Sequence, residues 1–95
     1  MSYDVHIGLI DINHTYNGAE ACKEILGFTP NEFTGKRASD VILLATKVKN
    51  ELQANPEYYE HYMPNDWGSV KTWIDFMKDI IEACEKYPNE IVEVN

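Results

Sequence analysis

The stretch "SVKTWIDFMKDIIEACEK", residues 69–86, carries the clearest structural pattern in the chain. Its apolar side chains recur at three- and four-residue steps, which is the period of one face of an α-helix. The spacing predicts an amphipathic helix with Ser69 or Asn65 as its N-cap, ended by Pro88. The apolar face would hold Val70, Trp73, Ile74, Met77, Ile80, Ile81 and Cys84, opposite Asp75, Lys78, Asp79, Glu82 and Glu85.

Two further helices precede this one. A short helix is predicted to start at "NGAE", with Asn17 as its N-cap and Glu20 completing a capping-box-like pair. It would end at Leu26, with Gly27 as a left-handed stop. Apolar residues then recur over about residues 37–54, which predicts a long amphipathic helix closed by "NP" at 55–56. The segment "PEYYEHYM" that follows favours a helical turn.

The two ends of the chain read as strands. "YDVHIGLI" (3–10) alternates between apolar and polar positions, and "EIVEV" (90–94) reads as a short closing strand. The sequence therefore predicts an α+β fold in a single small domain, residues 1–95, with the order β-α-α-(turn)-α-β. Three helices would pack on a small sheet formed by the N- and C-terminal strands. Because two strands alone make a marginal sheet, we expect a third strand in the loops or a homodimer that completes the sheet.

Composition places the chain among globular proteins. The apolar fraction is 44% and the charged fraction 25%, and the N-terminus lacks the basic and apolar regions of a signal peptide. The apolar run "VILLA" is far shorter than the ~20 residues that cross a bilayer. We expect a soluble, cytoplasmic protein without membrane association. Cys22 and Cys84 lie among apolar neighbours, which favours small buried side chains over a disulfide or a nucleophile.

Charge restricts the class of partner. The formal net charge is −8, and the second half of the chain, residues 51–95, carries ten acids against three bases. A nucleic-acid-binding protein needs a basic surface, so we expect no nucleic-acid partner. The acids form either solvated helix faces or an acidic surface that docks on a basic protein.

The motifs of common catalytic and metal sites are missing from the sequence. The three histidines lack HxxxH and HExxH spacing, no CxxC pair occurs, and "GFTPNEFTGK" lacks the spacing of a phosphate-binding loop. No serine lies on a strand-to-helix elbow. We therefore expect no enzyme activity, no metal and no cofactor.

The polar stretch "DINHTYN" (11–17) is a candidate ligand-binding segment. Amide side chains and helix-start N–H groups hold phosphates or carboxylates, and tyrosine and histidine rings stack on other rings. The structural alternative is that Asn17 is a cap, Asn13 a turn former and Tyr16 a core residue. The candidate ligand residues here are Asn13, His14, Tyr16 and Asn17.

A second candidate segment is "YYEHYMPNDWGS" (58–69). Four large aromatic residues within ten positions, interrupted by Pro64 and Gly68, are typical of a contact surface. The alternative is that Trp67 and one or two tyrosines close the end of the core. The candidate ligand residues here are Tyr62, Asn65 and Trp67.

The chain also resembles a known group of proteins. "SYDVHIG" (2–8), "TYN" (15–17), "PNDWGS" (64–69) and "IIEACEKYPNEIVEV" (80–94) are similar to segments of a family of small uncharacterised proteins from phages, prophages and bacterial chromosomes. The resemblance is strongest at Asn13, Tyr16 and Asn17, and at Asn65, Trp67 and Gly68. It implies a phage setting, hence the host cytoplasm and a counter-defence role, and it implies no particular activity.

Three functional hypotheses follow. In the first, a non-enzymatic module sequesters a small polar or nucleotide-like ligand between residues 11–17 and the aromatic loop 58–69. The net negative charge would repel phosphate unless Lys36 or Arg37 lies nearby. In the second, an acidic inhibitor docks on a basic, nucleic-acid-binding surface of a host enzyme. In the third, a small nucleotide hydrolase uses His14 as its base.

Overall fold

The computed structural model describes residues 1–63 and 68–95 of the protein. It confirms the predicted α+β fold, with helices packed on a three-stranded antiparallel sheet. Single 3-10 turns occur at Pro30–Phe33 and Glu60–Tyr62. The regular elements are β1 (Ser2–Ile7), β2 (Ile10–Thr15), α1 (Ala19–Leu26), α2 (Ala38–Ala54), α3 (Pro56–Tyr59), α4 (Val70–Lys86) and β3 (Glu93–Val94).

The N-terminal strand is shorter than predicted, because the chain reverses at Gly8 and Leu9. Leu9, which continues the apolar alternation of the sequence, lies in the turn and is 90% exposed. The polar stretch that follows is itself a strand, β2, which pairs with β1 in antiparallel register from Ile7 opposite Ile10 to Ser2 opposite Thr15. The expected third strand is therefore part of the polar segment.

The closing strand pairs with the opening strand, as predicted. β3 is antiparallel to β1, with Val5 opposite Val94, so the order across the sheet is β2-β1-β3. The loop before α2 covers the outer side of the C-terminal segment: Gly35 N–H donates to the Val92 carbonyl, and Val92 N–H donates to the Lys36 carbonyl. The sheet thus has one edge covered by residues 34–38 and one edge formed by β2.

The core lies between the sheet and the two long helices. The buried face of α4 matches the predicted stripe at Val70, Trp73, Met77, Ile80 and Cys84, and it also includes Phe76 and Ala83. Ile74 and Ile81 lie at the margin of the buried face, because the stripe is centred nearer to Phe76 than the sequence suggested. Both cysteines are free and buried, as predicted.

The helix ends confirm two of the predicted signals and overturn a third. Ser69 caps α4 and forms a capping box with Thr72, and Gly27 ends α1 with φ 87°. Asn17 is not the N-cap of α1: the cap position is Gly18, at φ 89°, without a side-chain cap. The predicted pair of Asn17 with Glu20 is therefore wrong, because the helix starts one residue later.

The helices give no indication of a membrane span. Among the described residues, none of them combines the length and the apolar composition that crossing a bilayer requires.

Candidate functional site

The ends of the two predicted segments meet at Asn17 and Gly68. A Cβ atom at Gly68 would collide with the carbonyl oxygen and the Cβ of Asn17, so the two backbones approach each other closely there. The indole Nε1 of Trp73 donates a 2.6 Å hydrogen bond to the same carbonyl of Asn17. Trp73 of α4 and the backbone at Gly68, which precedes α4, therefore both contact the strand-to-helix connection at Asn17.

A groove opens beside this junction, and we refer to it as the tyrosine groove. Its volume is about 470 Å³ and it is open to solvent along its length. The first turn of α1 forms one wall and the 3-10 turn after α3 forms the other. The groove is lined by Tyr16, Asn17, Gly18, Ala19, Glu20, His61 and Tyr62.

Of the five predicted ligand residues that the structure describes, three line this groove. Tyr16 and Asn17 come from the first segment, and Tyr62 comes from the second. The ring of Tyr16 packs edge-on against Tyr3 at 4.4 Å between centroids. The ring of His61 lies 4.0 Å from that of Tyr62 at an angle of 38°. Aromatic side chains therefore line both sides of the groove.

A carboxylate on α1 fixes the second wall. Oε1 of Glu24 accepts hydrogen bonds from the hydroxyls of Tyr58 and Tyr62, at 2.7 and 2.8 Å. These two bonds lower the pKa of Glu24, and the bond to the charged carboxylate raises the pKa of Tyr62 to about 12. The two tyrosines are thus tied to α1 as neutral donors.

Asn13 lies apart from the groove, on the outer face of the sheet. Its side-chain nitrogen donates to Asp4 Oδ1 at 2.7 Å and to Ser2 Oγ at 3.0 Å, both on the neighbouring strand. Residues opposite each other on paired strands are natural partners for such bonds. The structure therefore gives Asn13 a cross-strand role and does not bring it together with Tyr16 and Tyr62.

His14 faces the core and does not line the groove. It alternates with Ile10 and Ile12 along β2 and lies opposite Tyr3. Its ring stacks on Phe76 at 4.5 Å and meets Trp73 edge-on at 4.7 Å. Burial lowers its pKa to about 4, so the imidazole is neutral at pH 7.

Two predicted ligand residues, Asn65 and Trp67, lie outside the described residues. Four other described residues line the groove and were not predicted as ligand residues: Gly18, Ala19, Glu20 and His61. Glu20 and Glu24 are four positions apart on α1, and this spacing places both carboxylates on one side of the helix. This acidic pair, together with the tyrosine-rich segment, is the sequence signal from which the contact between α1 and Tyr62 could have been predicted.

A second groove, which we refer to as the acidic groove, lies between β2 and α4. It has a volume of about 270 Å³ and is lined by Ile10, Asp11, Ile12, Asp79, Glu82 and Ala83. Desolvation raises the pKa of Asp79, and the neighbouring carboxylates of Glu82 and Asp75 add to that rise. The groove thus combines an apolar floor with an excess of negative charge.

The basic residues proposed to offset phosphate charge are placed elsewhere. Arg37 forms a β-bridge with Ile91, and Lys36 is part of the same pairing beside β3. Neither is among the residues that line the tyrosine groove. Within residues 1–63 and 68–95, no three histidine, cysteine or acidic side chains are arranged to hold a metal ion.

Comparisons with protein-family models, with curated proteins and with solved structures found no match. The resemblance to phage and prophage proteins therefore stays a prediction from the sequence.

Proposed function

We propose that this protein is a non-catalytic binding module whose tyrosine groove holds a small polar ligand that carries a ring. The observation that carries the proposal is that Tyr16 and Asn17 of the first polar segment line the same groove as Tyr62 of the second. Aromatic side chains on both sides of the groove suit a flat ring, which can pack against them.

The charges beside the groove narrow the ligand class. Glu20 lines the groove, and an adjoining depression over α1 is lined by Glu20, Lys23, Glu24 and Tyr62. Two carboxylates against one ammonium leave this region negative. Ala19 and Ala21 at the helix start already donate to the carbonyls of Tyr16 and Gly18. We therefore favour an uncharged or cationic ring, such as a nucleoside, over a nucleotide phosphate.

Mass spectrometry of the purified protein tests for the ligand directly. We expect the native spectrum of protein isolated from cells to show an adduct that is absent from the denatured spectrum. The variant Asn17→Ala should lose the adduct and keep the fold, because the Trp73 hydrogen bond uses the backbone carbonyl at this position. Asn50→Ala, at an exposed position on α2, is the matched control and should retain the adduct.

A titration tests the class of ligand. The probes are the four ribonucleosides and their 5′-monophosphates, added to ¹⁵N-labelled protein. We expect amide shifts at Tyr16, Asn17 and Tyr62 with at least one nucleoside, and weaker binding of the matching monophosphate. Shifts confined to residues outside the groove would contradict the proposed site, and tighter binding of the monophosphate would contradict the proposed charge selectivity.

The second candidate function is that of an acidic docking protein, which the acidic groove favours. Asp79 and Glu82 of α4 line it, so a basic protein surface would find complementary charge there. Among the described residues, the acidic groove and the tyrosine groove share no lining residue. A counter-defence role in a phage-infected cell is compatible with either candidate and stays a prediction.

The hydrolase hypothesis has less support. Its proposed base, His14, is packed against Trp73 and Phe76 and does not line the tyrosine groove. Burial also raises the pKa of the Cys22 thiol to about 12, which keeps this group from acting as a thiolate nucleophile.

A further inference from the structure

The two edges of the sheet differ in how they are covered. At the β3 side, residues 34–38 pair with the C-terminal segment through backbone hydrogen bonds and through Thr34 Oγ1, which accepts from Val94 N–H at 2.9 Å. At the other side, β2 pairs with β1 alone among the described residues. In an antiparallel pair, every second residue of an edge strand directs its N–H and C=O away from its neighbour. β2 therefore offers a row of backbone donors and acceptors.

The surface beside this edge is acidic and favours a positively charged partner. The acidic groove runs between β2 and α4, with Ile10, Ile12 and Ala83 as apolar floor. Asp79 and Glu82 line it from α4, whereas the carboxylate of Asp11, an outward position of β2, is bonded to His6. The described lining includes neither lysine nor arginine. The crowding of Asp79 by Glu82 and Asp75 means that a cation placed there would relieve repulsion.

We propose that the edge of β2 binds an extended basic segment of a partner protein as a fourth strand, with lysine or arginine side chains over the acidic groove. Alternate side chains of an added strand point to the same face. In a peptide that alternates lysine with valine, every lysine can therefore face Asp79 and Glu82 on the α4 side, while the backbone pairs with β2. This inference names the partner and the binding mode for the acidic docking surface and rests on that second proposed function. It is independent of the tyrosine groove.

The charge of the chain argues against a second copy as the occupant. If two copies of the chain paired through their β2 edges, the acidic groove of one copy would approach that of the other. Each copy carries a net charge of −8. Like charges facing each other across strands are destabilising. A basic partner removes this cost and gains charge complementarity.

The test uses three blocked peptides of nine residues and the intact protein. The first alternates lysine with valine, the second alternates glutamate with valine, and the third is the lysine peptide with N-methyl groups on the backbone edge that would pair with β2. We expect the lysine peptide to bind, to shift the amides of Ile10–Thr15 and to slow hydrogen exchange at those facing outward. The glutamate peptide should not bind, and N-methylation should weaken binding by about tenfold.

A matched pair of variants tests the acidic groove. Asp79→Asn/Glu82→Gln should weaken binding of the lysine peptide by at least about fivefold. Glu57→Gln/Glu60→Gln makes the same change in net charge at exposed positions that do not line this groove, and it should leave the affinity within about twofold. All four positions are exposed, and the spectrum of each variant checks that the fold is intact.

Each contrary outcome overturns a defined part of the proposal. If the lysine peptide does not bind, both the inference and the acidic docking function fail. If the N-methylated peptide binds as tightly as its parent while the groove variant weakens both, docking survives and strand addition is wrong. If the peptide-free protein sediments as a dimer with protected β2 amides, the edge belongs to a second copy, and the basic partner is wrong.

Discussion

His14 occupies a position in β2 where the alternation calls for an apolar side chain. Within the described residues, its Nε2 is a buried side-chain nitrogen without a hydrogen-bond partner. Leaving such an atom unsatisfied costs about 1–3 kcal/mol, which is partly offset by ring contacts with Phe76 and Trp73. Protonation of His14 would therefore place a positive charge among packed core side chains.

Acid should destabilise the protein through His14. Its pKa falls from 6.5 in the unfolded chain to about 4 in the folded protein, so the unfolded state binds more protons between these values. The free energy of unfolding should then decrease as the pH falls from 6.5 through about 4. We expect a loss of roughly 2 kcal/mol, less than the full shift implies because the ring is partly exposed. Urea unfolding at several pH values measures it.

The variant His14→Phe isolates this effect. Phenylalanine keeps the stack on Phe76 and removes the ionisable nitrogen, so the difference in unfolding free energy between variant and wild type should grow as the pH falls. His6 acts in the opposite direction, because its bond to Asp11 raises its pKa and stabilises the fold at low pH, but it cancels in this difference. A difference that is constant with pH would show that His14 does not titrate as inferred.

Gly18 is required at the start of α1 for two reasons. It has φ 89°, and a Cβ atom there would collide with Met63 Sδ and with Trp73 Nε1. Gly27 has nearly the same dihedral, φ 87°, but a Cβ atom there would meet nothing within 4 Å. Gly27→Ala should therefore cost about 1 kcal/mol for the backbone alone, and Gly18→Ala should cost more than about 2 kcal/mol. Equal melting temperatures for the two variants would contradict this account.

At the scale of elements, α4 depends on its N-terminal cap. Ser69 Oγ accepts from Thr72 N–H at 3.1 Å, and Thr72 Oγ1 accepts from Ser69 N–H at 3.0 Å. Ser69→Ala should lower the free energy of unfolding by about 1 kcal/mol. Ser39→Ala, in the first turn of α2 where the cap position is Arg37, should change it by less than about 0.5 kcal/mol. Comparable losses in both would mean that the capping box contributes little.

The elements that the sequence predicted well are those with strong periodicity or clear stop signals. The bounds of α2 and α4 and the stop at Gly27 agree with the predictions to within one residue. β2 was missed because its inward positions end on a histidine and its outward positions are Asp11, Asn13 and Thr15. The sequence of such a strand resembles that of a polar loop. The alternation is real, but it is visible only when His14 is counted as a core residue.

Only part of the candidate site was predicted from the sequence, because neighbouring residues of the polar stretch separate in the fold. Tyr62 shares a groove with Tyr16 and Asn17 because its hydroxyl bonds to Glu24 of α1, a contact between residues 38 positions apart in the sequence. Alternation along β2 sends the side chains of Asn13 and His14 to opposite faces of the sheet. A cluster that is contiguous in sequence was therefore divided among the outer face, the core and the groove.

For the whole molecule, the charges remain largely unpaired. The chain has sixteen acidic and eight basic residues, and within the described residues the ion pair between a lysine and a carboxylate is Lys71 with Asp75, at 2.9 Å. On α4, the carboxylate of Asp79 lies near those of Glu82 and Asp75, which add to the rise of its pKa. Folding brings these like charges closer together than they are in the unfolded chain, and the compact state is destabilised.

Salt should consequently stabilise the fold by screening this repulsion. Raising NaCl from about 10 mM to about 150 mM shortens the Debye length from about 30 Å to about 8 Å. We expect the free energy of unfolding in urea to rise by on the order of 1 kcal/mol. The variant Asp79→Asn/Glu82→Gln/Glu85→Gln should show a smaller rise, since it removes three acids from α4. Lys36→Gln/Lys47→Gln, at two exposed positions, should show a larger one. An equal rise in all three proteins would assign the salt effect to hydration of the apolar surface, because that contribution does not depend on net charge.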